Sequence, residues 1–427
     1  MIVKIYPGKI SGKIDAIPSK SHLHRILIYS ALSLNDTHVF FKDTNAEDIT
    51  ATIDCLTALG ADFVKNENGL TVSPINRKNL PAHAVLPCCE SGSTLRFLLP
   101  VVSALGVDGS FERKGRLAER PMELLTKQME NHGVTFRQTD DGYLHSKGQL
   151  QAGEFFLPGD VSSQYITGLL MALPLLKEGS VLTVATPIES ADYIEITQKT
   201  AKDFGVKNVT INSQENIKYV ISPTDFNSKS TKIVAEGDWS NSAFWLCAGA
   251  MPCGEISVSG LEKTSTQGDR YIAEILTKMG AKTAWEGNTI SVKEGNRKIS
   301  EIDGKAIPDL IPVLAAVASV GEGTTIFKNA QRLRIKESDR LKTTTQTLKT
   351  LGADIKETND GLIVNGKKTL NGGEVHAHGD HRIAMMAAIA STACLNPVTV
   401  TGAQAVNKSY PSFWEDLKTL GKKVEVM

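Results

Sequence analysis

Lysines, arginines and hydroxyl residues recur in this chain where an extended segment gives way to a helical pattern, a pairing suited to anions. Pro18-Ser19-Lys20-Ser21-His22-Leu23-His24-Arg25 is the first such joint. Free backbone N–H groups and the helix dipole favour a negative ligand at a helix start, and Arg25, about one turn on, reaches the same face. Glu90-Ser91-Gly92-Ser93-Thr94-Leu95-Arg96 is the second. Gly92 there lets a ligand come close to the backbone. The first also reads as an N-capped helix with a solvated basic face, and the second as a simple cap.

Four more clusters follow. Lys114-Gly115-Arg116-Leu117-Ala118-Glu119-Arg120-Pro121 is a basic loop feeding a proline at a helix start, and Arg120 has the fork geometry to clamp a carboxylate or phosphate. Asp160-Val161-Ser162-Ser163-Gln164 gathers neutral hydrogen bonders suited to phosphate oxygens and sugar-like hydroxyls. In Arg332-Leu333-Arg334-Ile335-Lys336-Glu337-Ser338-Asp339-Arg340, Lys336 and Arg340 share a face if the run is helical. A solvated charged helix is the alternative. His376-Ala377-His378-Gly379-Asp380-His381-Arg382 invites a metal reading, but no second acidic or cysteine cluster accompanies it, and Arg382 would repel a cation. An anion site with Arg382 as the cation fits better. Gly402 to Ser409 nearly has P-loop spacing, but Asn407 replaces the required glycine. Lys408 remains a candidate phosphate ligand as a point charge. There is no Gly-x-Gly-x-x-Gly, so a dinucleotide site has no support.

These joints sit on a regular beat. Leu59-Gly60-Ala61, His132-Gly133-Val134, Phe204-Gly205-Val206, Met279-Gly280-Ala281, Leu351-Gly352-Ala353 and Leu420-Gly421-Lys422 each end a helical run on glycine, at a spacing of roughly 70–75 residues, so six copies of one module are expected. Ser21, Ser93, Ser163, Ser240, Asp309 and Asp380 open an apolar helix on the same beat, giving six potential anion sites. In the first module the pattern predicts a helix after Ser21, a strand over 37–41, a helix over 45–59 and a hairpin turning at Asn68-Gly69. The last module lacks a strand, and the N-terminal segment Ile2 to Ile5 is expected to supply it. Two lobes of three modules follow, covering 14–227 and 1–13 plus 228–427. The chain would cross between them near Gly12 to Ala16 and near Asp225 to Ser230, forming a hinge beside a ligand cleft.

Composition narrows the function classes. The 427 residues carry no formal net charge, so nothing draws the chain as a whole to nucleic acid or membrane. No apolar run reaches spanning length, and Met1-Ile2-Val3-Lys4-Ile5 reads as a strand rather than a signal peptide. Cys55, Cys88, Cys89, Cys247, Cys253 and Cys394 show neither metal spacing nor a secreted framework, which points to reduced thiols in the cytoplasm.

Taken in order, Lys20-Ser21…Arg25, Gly92-Ser93…Arg96, Glu119-Arg120-Pro121, Ser162-Ser163-Gln164, Gln267-Gly268-Asp269, Asp309, Lys336 to Arg340, Asp380-His381-Arg382 and Lys408 resemble the 5-enolpyruvylshikimate-3-phosphate synthase family over essentially the whole chain. The resemblance implies an α/β fold of two lobes, each of three β-α-β-α-β-β units, joined by a two-stranded hinge. It implies transfer of the enolpyruvyl group of phosphoenolpyruvate to the 5-hydroxyl of shikimate 3-phosphate, with C–O cleavage, a tetrahedral intermediate and release of phosphate. It places Lys20, Gly92, Arg120, Gln164, Arg340, Arg382 and Lys408 at phosphoenolpyruvate. Lys20, Ser21, Arg25, Ser162, Ser163, Gln164, Ser190, Asp309 and Lys336 fall at shikimate 3-phosphate. Asp309 is the implied base, and Glu337 and Lys20 are the implied proton donors. The partners are those two small molecules, with no metal or organic cofactor, and a monomer is expected.

The sequence departs from the family pattern at Leu23 and His24, at Phe97 and at Arg332. Gly92 matches the small residue beside which glyphosate fits in sensitive members. Two rivals remain. A UDP-N-acetylglucosamine enolpyruvyl transferase would share the fold, but its basic loop usually carries a reactive cysteine, absent from 114–120. A catalytically silent phosphosugar binder would need neither Asp309 nor Glu337.

Overall fold

The structure is a computed structural model that describes residues 1–42, 45–227, 230–296 and 301–427. Ser228 and Lys229, within the loop expected at the second crossing, lie outside the described residues.

The glycine beat is a repeated helix stop. At the end of helix Glu47–Ala58 the Gly60 N–H bonds to the Thr57 carbonyl and the Ala61 N–H to that of Leu56, with Gly60 at φ 98°. This is the Schellman closure, and its left-handed residue favours glycine. The same pair of bonds recurs around Gly133, Gly205, Gly280, Gly352 and Gly421. The first five stops turn the chain into a hairpin that joins two further strands in a four-stranded sheet, and the sixth leads into Val424–Val426 alone. Six such sheets form among the described residues. In the second module, for example, His83–Pro87 runs parallel to Asp108–Glu112, Asp108–Glu112 pairs antiparallel with Tyr143–Lys147, and Tyr143–Lys147 pairs antiparallel with Thr135–Gln138.

The chain forms two compact units, 20–235 and 1–19 with 236–427. The divisions fall later than the expected ones, and strand pairing gives the reason. Gly12–Asp15 lies parallel to Ile256–Ser259 and so belongs with the later half of the chain. Lys232–Val234 lies parallel to Thr37–Phe40 and belongs with the earlier half. Each strand thus completes the sheet of a module distant in sequence. The expected helix over 45–59 spans Glu47–Ala58, and the strand over 37–41 spans Thr37–Phe40.

Within unit 20–235, helices Lys20–Ala31, Gly92–Ala104 and Ser163–Ala172 are buried along most of their length. Helices 92–104 and 163–172 approach closely because Gly168 has no side chain. A Cβ there would lie 2.2 Å from the Arg96 carbonyl oxygen. In the other unit Trp239–Ala250, Ile311–Ser319 and His381–Ala390 are the buried helices. Its last sheet takes Ile2–Ile5 between Val398–Thr401 and Val424–Val426, antiparallel to both, so the N-terminal strand fills the gap in the sixth module.

Candidate functional site

In unit 20–235 the expected residues gather at the starts of the buried helices. Lys20 begins helix 20–31, and its ammonium lies 2.6 Å from the Asp48 carboxylate on helix 47–58. Arg25 is almost wholly buried. Its Nε donates to Thr197 Oγ1 at 2.7 Å, Nη1 to the Ser21 carbonyl at 2.6 Å, and Nη2 to the Tyr193 carbonyl at 2.9 Å and Thr167 Oγ1 at 3.4 Å. Burial lowers its pKa to about 10. Arg25 therefore pins the first helix to the segment after Ser190, which itself sits at φ 56°.

A second group forms where helices 92–104 and 163–172 begin. Ser91 caps the first by accepting from the Thr94 N–H, and Ser162 caps the second by accepting from that of Gln164. Gln164 bridges the two, its Nε2 donating to Ser93 Oγ at 3.0 Å and its Oε1 accepting from Arg96 Nη1 at 2.7 Å. Ser163 is buried beside them. The Arg120 guanidinium lies against Gly92: a Cβ on Gly92 would stand 2.8 Å from Arg120 Nη1 and 2.8 Å from Arg96 Nη1. The helix starts of this unit thus carry neutral hydroxyls, with cations set beside them.

The other unit is built with the opposite sign. Asp238 and Asp380 cap helices 239–250 and 381–390, and Asp309 lies in the 3-10 turn Pro308–Leu310 ahead of helix 311–319. Their own carboxylates occupy or adjoin the positions expected to take a ligand anion, and arginines answer them. Buried Arg340 donates from Nε to Asp380 Oδ2 at 2.7 Å, from Nη1 to Asp309 Oδ1 at 2.7 Å and from Nη2 to Glu337 Oε2 at 2.7 Å. Arg382 reaches Asp309 Oδ2 at 3.2 Å, the Asp309 carbonyl at 3.1 Å and Ser240 Oγ at 2.7 Å. Lys336 Nζ is 3.6 Å from Asp309 Oδ1.

The charge balance follows from these contacts. Burial works to raise the Asp309 pKa, but Arg382, Lys336 and Arg340 outweigh it and hold the carboxyl well below the usual range. Burial draws Lys336 down to about 8 although Asp309 opposes it. Burial and then the Asp309 charge push Asp269, on the neighbouring turn Gly268–Tyr271, up to about 6.

Asp309, Lys336, Glu337, Arg340 and Arg382 therefore meet in one cluster, while Lys408 is buried at the end of the turn Ala403–Lys408. Lys336 and Arg340 do not share a helix face. The turn Gln331–Ile335 ends before Lys336 and the helix starts at Arg340, because Asp339 caps it by accepting from the Lys342 N–H. One contributor escaped the sequence reading, and another was named without its contact. Asp48 looks like any acid in the first turn of an amphipathic helix, and only folding sets it against Lys20. Arg96 closed a recognised motif, but its bond to Gln164 is invisible without the packing of two helices. Among the described residues no three His, Cys, Asp or Glu side chains gather to hold a metal ion, and no helix is long and apolar enough to cross a membrane.

This fold is shared with the enolpyruvyl transferase NikO from Streptomyces tendae, with a TM-score of 0.75 over 99% of this chain and 98% of that one at 19% identity. A solved EPSP synthase from Acinetobacter baumannii is 26% identical, with a TM-score of 0.77 and all of both chains covered. The 3-phosphoshikimate 1-carboxyvinyltransferase of Clostridium beijerinckii is 42% identical over 428 residues, spanning 98% of this chain and 97% of the relative. Its counterpart in Clostridium kluyveri is 41% identical over 99% of this chain and 98% of its own length. The family model described as EPSP synthase (3-phosphoshikimate 1-carboxyvinyltransferase) matches residues 5–417. The chain belongs to the EPSP synthase family.

Proposed function

We propose that this enzyme transfers the enolpyruvyl group of phosphoenolpyruvate to the 5-hydroxyl of shikimate 3-phosphate and releases phosphate. The observation that carries the chemistry is the Asp309 carboxylate, gripped through both oxygens by Arg340 and Arg382 with Lys336 close by. A half-buried carboxylate among cations is a proton acceptor in a site made for anions.

The unit with hydroxyl-capped helices suits the sugar phosphate. Ser21, Ser162, Ser163, Ser190 and Gln164 offer it hydrogen bonds, and Lys20 and Lys336 offer charge. Arg25, held in place by four hydrogen bonds to the protein, offers the phosphate its guanidinium charge. Phosphoenolpyruvate takes Arg120 beside Gly92, with Lys20, Gln164, Arg340, Arg382 and Lys408. Asp309 accepts the proton of the attacking hydroxyl. Glu337 exchanges a proton at the methylene carbon, and Lys20 is the second donor for that step. The tetrahedral adduct then collapses with loss of phosphate.

Charge sharing sets the order of events. While Arg340 and Arg382 are devoted to Asp309, its carboxylate is a weak base. An incoming carboxylate or phosphate that draws on the same guanidinium groups loosens that hold and makes Asp309 more basic. The reaction in this form uses no cofactor, and the chain acts as a cytoplasmic monomer without nucleic acid or membrane.

The test is phosphate release by the purified chain. It should require phosphoenolpyruvate and shikimate 3-phosphate together. Turnover with UDP-N-acetylglucosamine as acceptor, or binding of both ligands with no phosphate released, would overturn the assignment.

A further inference from the structure

A chain of short hydrogen bonds runs through the interior of unit 20–235 without touching any of the expected ligand-binding side chains. His24 Nδ1 lies 2.7 Å from Thr52 Oγ1, Thr52 Oγ1 lies 2.7 Å from Thr94 Oγ1, and Thr94 Oγ1 lies 2.7 Å from Ser91 Oγ. All four side chains are at most 1% exposed. The chain starts on helix 20–31, crosses helix 47–58 and ends on the cap of helix 92–104. The Asp48 carbonyl lies 3.3 Å from both threonine hydroxyls, and the Asp48 carboxylate holds Lys20 at 2.6 Å. One segment of helix 47–58 therefore touches the cation of the first helix start and the cap of the second.

The direction of the chain follows from counting protons. Burial, with Lys20 and Arg25 adding to it, keeps the His24 ring neutral, so one ring nitrogen carries hydrogen. Nε2 is buried with no hydrogen-bond partner. An orphaned buried N–H is the rarer and costlier arrangement, so the hydrogen belongs on Nδ1 and Nε2 keeps a bare lone pair. His24 then donates to Thr52. The Thr52 proton goes to Thr94, the nearer of its two acceptors, and the Thr94 proton goes to Ser91. Ser91 Oγ thus receives the Thr94 hydroxyl as well as the Thr94 N–H, at 3.3 Å, that makes it a helix cap.

We propose that His24, protonated on Nδ1, is a positioning residue that acts through Thr52 and Thr94 to orient Ser91 and so set the Gly92–Ser93 helix start for phosphoenolpyruvate. The proposal rests on the functional reading above for its ligand and on the bond chain for its mechanism. It separates His24 from the first-helix residues Lys20 and Ser21, which face substrate. His24 works from behind the site, on the Gly92–Ser93 contact surface.

Two measurements on the full chain test it. Nitrogen-15 spectra of the imidazoles in the unliganded protein should show His24 as the Nδ1–H tautomer, and Thr52→Val, which keeps the side-chain shape, should abolish that preference. In steady state, Thr52→Val and His24→Leu should each raise KM for phosphoenolpyruvate roughly fivefold while KM for shikimate 3-phosphate changes less than about twofold. His24→Asn, whose amide nitrogen stands near the place of Nδ1, should restore most of the difference. An Nε2–H tautomer in the wild type overturns the proposal even if a variant fails to fold. A parallel rise in both KM values overturns it as well, since that is the mark of general loosening. A wild-type chain that turns over no phosphoenolpyruvate fails the functional reading instead, and the tautomer still reports on the bond chain.

Discussion

Arg340 and Asp380 form a buried ion pair, with Nε 2.7 Å from Oδ2 and both side chains at most 1% exposed. Asp380 serves two helices at once. It caps 381–390 through the Arg382 N–H and also accepts from Ser338 beside the start of 340–350. Removing the carboxylate leaves a guanidinium in the interior with only Asp309 and Glu337 to balance it. Asp380→Ala should lower the stability of unit 1–19 with 236–427 by about 3 kcal/mol, the low end for breaking a buried pair. Asp380→Asn keeps a capping side chain and should recover about 1 kcal/mol of that. Urea unfolding followed by a probe in this unit checks both.

Asp309 is predicted to carry turnover rather than affinity. Asp309→Asn keeps the shape and removes the proton acceptor, so kcat should fall by about 10²–10⁴-fold. Shikimate 3-phosphate should still bind, as measured by calorimetry. A loss of affinity matching the loss of turnover would make Asp309 a residue that only places substrate.

Lys336 ties binding to pH. Its pKa is about 8 in the folded chain against an ordinary 10.5. Between those values the native state holds fewer protons than the unfolded one, so stability contributed by this group rises with pH across the window. Affinity for the sugar phosphate runs the other way, because the ligand needs the charged form. The dissociation constant for shikimate 3-phosphate should climb above about pH 8, by up to about tenfold per pH unit. Lys336→Arg should remove that bend, since the guanidinium stays charged.

Gly92→Ala puts a methyl group 2.8 Å from nitrogens of both Arg120 and Arg96. The ends of those side chains can move, so the fold should tolerate the change and the melting temperature should shift little. The displaced Arg120 should raise KM for phosphoenolpyruvate by about tenfold with KM for shikimate 3-phosphate nearly unchanged. Steady-state kinetics with each substrate varied in turn distinguishes the two.

Much of the architecture was legible because it is written in backbone chemistry. Gly60 and its five equivalents announce helix stops through a conformation that other residues resist, and the hairpin turn at Asn68-Gly69 follows in the same local language. The placement of 12–15 and 232–234 was not legible. Both strands look alike in sequence, and which sheet accepts each is settled by pairing with distant strands. At the candidate site, cations at helix starts could be picked out, but the use made of their charge could not. Arg25 stands in the sequence as a cation one turn into a helix, and only the fold shows that Thr197, Thr167 and the Tyr193 carbonyl hold it in place. Lys336 and Arg340 read as one helix face until Asp339 is seen to begin the helix after Lys336.

The strand Ile2–Ile5 has a consequence for how the molecule is made. It sits between 398–401 and 424–426, so its sheet can close only once 424–426 has been translated. Residues 20–235 form an unbroken stretch and can collapse while the remainder is still being translated. The insertion ripens before its host, because the strands 2–5 and 12–15 both pair with segments that lie beyond residue 235.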